Sequence, residues 1–151
     1  MSQRLRLRER LEAADLVHLD GRILAFHLLG SPEYGELTHV LFDGLRSGSC
    51  RSQTSALALY QLLAEVYRRG EAELADEVAK LLTVHPALEL VPAGPDVAVQ
   101  AAQVRAQLGG RPERAIQIAT ALVAGAEIFL TEGSGLRRIV GMSVVNLEDY
   151  L

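Results

Sequence analysis

Short apolar runs alternate with longer stretches of helical spacing along this chain. Leu59, Leu62, Leu63 and Val66 recur at i, i+3, i+4 and i+7, the stripe of a helix with one buried face. That stripe lies in a predicted helix over 56–69, and further helices are predicted over 32–46, 71–82, 95–108 and 112–124. Pro95 and Pro112 open the last two, where a first helical residue has no hydrogen bond to lose. Strands are predicted between them, over 16–19, 49–53, 88–91, 127–130 and 143–147. Such alternation is the layout of βαβ units, so the expected body is α/β, a three-layer α/β/α sandwich around a mostly parallel sheet with right-handed crossovers. The opening run Arg4-Leu5-Arg6-Leu7-Arg8 alternates as an extended arm would, whereas 9–14 has helical composition. Residues 1–14 are therefore either a mobile arm or a helix.

Composition narrows the class. At 151 residues, 49% hydrophobic and 23% charged, the chain has the length and the apolar content for one real core; disorder, collagen and coiled coil are excluded. Breaks such as Gly30-Ser31-Pro32 and Pro92-Ala93-Gly94-Pro95 are short turns without repeats or linkers, which argues for a single domain over 1–151. Nineteen acids against fifteen bases leave −4, so this is no polycation holding nucleic acid by charge alone, and any such contact needs a local patch. Fourteen of those bases are Arg, a skew simply explained by genomic base composition. With no Trp, three Phe and four Tyr, a single-strand binder built on stacked bases is disfavoured. Cys50, the lone cysteine, cannot form an internal disulfide, and no 18-residue apolar span or signal-like segment occurs, so a cytoplasmic, non-membrane protein is expected.

In open parallel sheets, sites form beyond the carboxyl ends of strands near the point where strand order reverses. The junctions to inspect are Asp20-Gly21-Arg22, Thr131-Glu132-Gly133, and the helix starts near Ser55 and Pro112. His18, His27, His39 and His85 have no metal-ligand spacing, Cys50 reads as a packed strand residue, and the glycines fit neither a P-loop nor a dinucleotide fingerprint.

The runs from Leu19 to Phe26, Ser55 to Leu63, Ala115 to Thr131 and Gly141 to Leu151 together resemble a PIN domain, the fold of the VapC-type toxin ribonucleases. The resemblance implies a PIN-like sheet and metal-assisted phosphodiester hydrolysis, in which clustered carboxylates hold Mg²⁺ or Mn²⁺. It places the family's four acids at Asp20, Gln61, Arg114 and Gly133, so one acid remains, with Gly21 and Arg22 beside it where a hydroxyl residue and Asn are usual. Like charges about 4 Å apart oppose one another by roughly 4 kcal/mol at an effective dielectric near 20, so arginines here disfavour a divalent ion. The expectation is no metal cofactor, with Asp20 the weak candidate ligand, and Asp20 paired to Arg114, Arg22 or both.

Arg114 also opposes the dipole of a helix starting at Pro112, which calls for either an ion pair with Asp20 or Glu113, or a bound phosphate. Glu132, in a loop that can re-aim it, is the best substitute acid; Glu65 and Glu113 are displaced by a turn or by about 100° of helix rotation. Ser55 and Thr131 complete the neighbouring candidates. The expected function is a non-catalytic interaction or regulatory module, RNA-associated, the alternatives being a Mg²⁺/Mn²⁺-dependent ribonuclease of toxin–antitoxin type with an altered site, and a structural toxin–antitoxin partner. A homodimer and an antitoxin-like protein are the expected partners, with helices 32–46 and 56–69 as candidate contact surfaces.

Overall fold

The computed structural model of the chain describes residues 1–85, 87–133 and 135–151. Five strands, β1 (Val17–Leu19), β2 (Ser52–Ser55), β3 (Leu88–Val91), β4 (Ile128–Thr131) and β5 (Ser143–Asn146), form one sheet in the order β3-β2-β1-β4-β5, and every pairing is parallel. Strand order runs outward from β1 in both directions. The carboxyl end of β1 is therefore the switch point of the sheet, and Asp20 is the next residue.

Among the described residues seven α-helices cover the two faces. On one lie α1 (Gln3–Glu12), α2 (Gly21–Leu28), α3 (Gly35–Ser47), α4 (Ala56–Arg68) and α5 (Ala72–Thr83), sharing a core that includes Leu7, Leu11, Ile23, Leu41, Leu62, Val66 and Val78. On the other lie α6 (Pro95–Leu108) and α7 (Pro112–Ala124), packed through Val97, Val104, Ile118 and Ala119 against Phe129. The expected three-layer sandwich is the observed one.

Three local differences from the sequence reading have physical causes. The arm alternative over the first residues gives way to α1: Ser2 caps it by accepting from Leu5 N–H, and Leu7 and Leu11, one turn apart, are buried while Leu5 faces solvent. Helix α2 has no counterpart in the predicted elements, because Asp20 caps it directly at the end of β1 without intervening turn residues. Strand β2 lies at Ser52–Ser55 rather than 49–53, and Cys50 is buried just before it. All four β2 side chains are polar and all four are buried, a combination that apolar periodicity does not detect.

Those polar side chains are satisfied inside the sheet. Thr54 donates its hydroxyl proton to the Leu19 carbonyl at 2.8 Å, and Gln53 Nε2 donates to His18 Nδ1 at 3.0 Å. The His18 ring is fully buried and stacks on Phe129, with centroids 5.4 Å apart and planes within 6°. Burial holds the His18 pKa down at about 4, against a smaller opposing effect of its hydrogen bond to Gln117.

The unfolded chain takes up a proton at His18 near pH 6.5 while the folded chain stays neutral to about pH 4, so stability falls with falling pH across that window. The expected loss attributable to His18 is on the order of 3 kcal/mol. Urea denaturation between pH 4.5 and 7 checks it: His18→Gln, which keeps a donor and an acceptor but does not titrate, should flatten the slope by about one proton.

Candidate functional site

Asp20 leaves β1 in extended conformation and caps α2, its Oδ1 accepting from Gly21 N–H at 2.8 Å. Its Oδ2 accepts from the Thr131 hydroxyl at 2.7 Å, and its own N–H donates to the Leu130 carbonyl at 2.9 Å. Asp20 is thus stitched to the end of β4 on one side and to the start of α2 on the other.

The expected counter-ion arrangement differs. Arg22 pairs with Glu132 at 2.6 Å and lies 5.6 Å from the Phe26 ring centre; among the described residues Asp20 makes no ion pair. The reason is prior occupation. Glu132, with 8% of its side chain exposed, is about as buried as Asp20 and takes the Arg22 charge, whereas both Asp20 oxygens already meet neutral donors. The Tyr34 phenol sits beside Glu132; burial first, and then the Glu132 and Glu33 charges, push its pKa up.

Between α2, α4 and the start of α7 opens a cleft of about 540 Å³. It brings together Asp20, Arg22, Gln61 and Arg114, with Glu65 and Glu113 at its edge and Ala25, Leu29 and Leu62 as apolar wall. The remaining sequence candidates lie outside that lining. Ser55 is buried and caps α4 by accepting from Leu57 N–H, Thr131 holds Asp20 from behind, and Gly133 N–H donates to Asn146 Oδ1 at 3.2 Å, tying the loop after β4 to the end of β5. Glu65 is committed to Arg68 and Arg69, whose hydrogen bonds hold its carboxyl below the ordinary range.

Two residues beside Gly21 were not singled out by the sequence, Gln117 in the cleft lining and Ala58 behind it. Ala58, one turn nearer the strand than Gln61, faces Gly21 from α4. Gln117, 1% exposed, reaches from α7 across the floor, where its Oε1 accepts from Ser55 N–H at 3.3 Å and meets His18 Nε2 at 2.6 Å. A polar residue in the second turn of α7, set among Ala115, Ile116, Ile118 and Ala119, was the available signal for Gln117; nothing marked Ala58.

The donor set does not fit a divalent cation. Among the described residues, no three His, Cys, Asp or Glu side chains are grouped to hold one. The cleft offers one inner carboxylate already bonded twice, two amides and the guanidinium groups of Arg22, Arg111 and Arg114. Hard cations need several anionic or neutral oxygens converging on one point.

Removing the Asp20 side chain takes away a helix cap and a buried hydrogen bond together, so Asp20→Ala should cost about 1–3 kcal/mol in urea denaturation. Thr131→Val should cost about 1 kcal/mol, and the double variant should fall short of the sum by about 1 kcal/mol. Strict additivity would mean the Asp20–Thr131 bond contributes nothing.

A family model for the PIN domain matches residues 38–141. No curated protein matches the chain. Among solved structures, VapBC2 from Rickettsia felis bound to a promoter DNA fragment is similar at 14% identity, with a TM-score of 0.67 over 87% of this chain and 98% of that one. A toxin–antitoxin complex from Klebsiella pneumoniae is similar at 17% identity and a TM-score of 0.66, covering 87% of this chain and 97% of that one. DNA-bound VapBC from Salmonella typhimurium is similar at 20% identity and a TM-score of 0.63, again over 87% and 97%. The parallel sheet, its order and the family match agree: this chain belongs to the PIN domain family.

Proposed function

We propose that this chain is a PIN-fold interaction module that has lost metal-dependent nuclease activity and works in a toxin–antitoxin-type assembly, as a homodimer with an antitoxin-like partner, in contact with RNA. The observation that carries the loss of cleavage is the commitment of the switch-point groups to one another. Asp20 is held by Thr131 and Gly21, Glu132 beside Thr131 is paired with Arg22, and Glu65 with Arg68 and Arg69. A hydrolytic ion would need these carboxylates turned to a common point, against those bonds and toward Arg22 and Arg114. The assembly reading is supported by the solved relatives, which are toxin–antitoxin complexes, and rests on analogy of fold.

One observation favours the alternative of a Mg²⁺/Mn²⁺ ribonuclease with an altered site: Asp20 and Glu132 follow the paired strands β1 and β4, so two carboxylates do lie at neighbouring carboxyl ends of the sheet. A nuclease assay separates the readings. The purified chain should leave labelled single-stranded RNA intact with Mg²⁺ or Mn²⁺, and cleavage that disappears in Asp20→Ala would overturn the proposal.

The complementary expectation concerns what is missing. The variant Gln61→Glu, Arg114→Asp, Gly133→Asp should gain stability with added Mn²⁺ where the natural sequence gains none. The gain should approach about 3 kcal/mol at a hundredfold excess over Kd, read as a rise in Tm. Gly133 has φ +56°, a left-handed conformation that Asp accepts more readily than most residues, so the substitution is tolerable there.

A further inference from the structure

Gln117 presents a buried donor that the fold itself does not use. A backbone N–H can only donate, so the Gln117 atom facing Ser55 N must be Oε1, and the amide nitrogen must face the opposite way. Among the described residues Nε2 has no hydrogen-bond partner. It is aimed into the cleft, 3.5 Å from where a Cβ at Gly21 would stand; Gln61 Oε1 and Ala58 Cβ approach the same point to 3.0 and 3.6 Å, and the absence of a Gly21 Cβ leaves the room between them. His18 fixes the orientation from behind, because its neutral ring donates through Nε2 to the same Oε1. A buried N–H₂ held rigidly without a hydrogen-bond partner among the described residues is poised for an acceptor atom from outside the protein.

The charges around that point favour an anionic acceptor. Arg111 and Arg114 stand at the rim where α7 begins, and the positive end of the α7 dipole adds to them. Of the nearby acids, Glu65 is paired with Arg68 and Arg69, while Glu113 and Asp20, the latter with neutral partners in Thr131 and Gly21 that leave its charge in place, oppose an anion against the pull of the two arginines and the dipole. Ala25, Leu29 and Leu62 give the other side of the cleft an apolar wall, and about 540 Å³ is room for a body as well as an anionic group.

We infer that the cleft between α2, α4 and α7 binds a small phosphate monoester with an organic body, such as a nucleoside monophosphate, its oxygens meeting Gln117 Nε2 and the Arg111/Arg114 rim and its body lying against Leu29 and Leu62. This deepens the reading of a site that no longer holds a cation. It has its own failure mode, since RNA cleavage would overturn that reading without touching the Gln117 geometry.

The test is an NMR titration of the ¹⁵N-labelled chain at constant ionic strength, following the Gln117 side-chain NH₂ signals, with inorganic phosphate, adenosine 5′-monophosphate and adenosine as separate probes. Both phosphates should move those signals, the monophosphate binding more tightly, and adenosine should leave them in place. Gly21→Ala fills the space before Nε2; the position is helical, and the exposed Gln61 can swing aside, so this variant folds. It should weaken monophosphate binding about tenfold or more, as should Gln117→Glu, which keeps the acceptor toward Ser55 and removes the donor. Unmoved Gln117 signals, which would leave water as its partner, or Gly21→Ala binding like the natural chain, would overturn the site. Phosphate binding as tightly as the monophosphate would overturn the part assigned to Leu29 and Leu62, and a response only to an RNA oligonucleotide would replace the small ligand with a polymer.

Discussion

The Ser55 N–H at the top of β2 has to be met inside the protein, and what meets it is Gln117 Oε1. Once that oxygen is placed, the rest of the buried polar chain has no freedom. His18 must offer a proton to it from Nε2, His18 Nδ1 must then accept, and Gln53 must turn its amide nitrogen toward the ring. One backbone amide thereby sets a tautomer, two amide orientations and the docking of α7 on β1 and β2. The depressed basicity of His18 comes from its burial within that arrangement, against a smaller opposing effect of the bond to Gln117.

This chain of bonds explains which parts of the fold could be read in the sequence. Elements held by apolar contact were legible: the helices at Pro95 and Pro112, the stripe ending at Val66 and strand β3 all lie at or close to their predicted bounds. β2 escaped exact placement because its four residues are polar and buried: Gln53, Thr54 and the Ser55 N–H bond to groups far away in sequence, the Ser52 and Ser55 hydroxyls to Cys50 and Leu57 close by, and apolar periodicity carries no record of any of them. α2 escaped because a strand that ends in its own helix cap leaves no turn residues to mark the boundary.

The candidate site shows the same division. The positions of Asp20, Gln61 and Arg114 at one cleft followed from family resemblance and strand order, while the pairing of their charges did not. Which carboxylate Arg22 takes depends on the Thr131 hydroxyl already spending itself on Asp20, which is a property of the packed state. Charge type at a position can be read from sequence; the order in which neighbouring groups satisfy one another cannot.

The strand order also has a consequence in time. β1 is the second element from the amino end, yet one of its two neighbours is β4, and the Thr131–Asp20 bond that closes the switch point joins residues 111 apart. During synthesis β1, β2 and β3 can pair early, but the second edge of β1 stays open until α6, α7 and β4 have emerged. The lining of the cleft ends at Gln117, so a chain interrupted just before residue 131 would carry α1 to α7 and every cleft residue, yet Asp20 would lack the Thr131 hydroxyl that holds it in place.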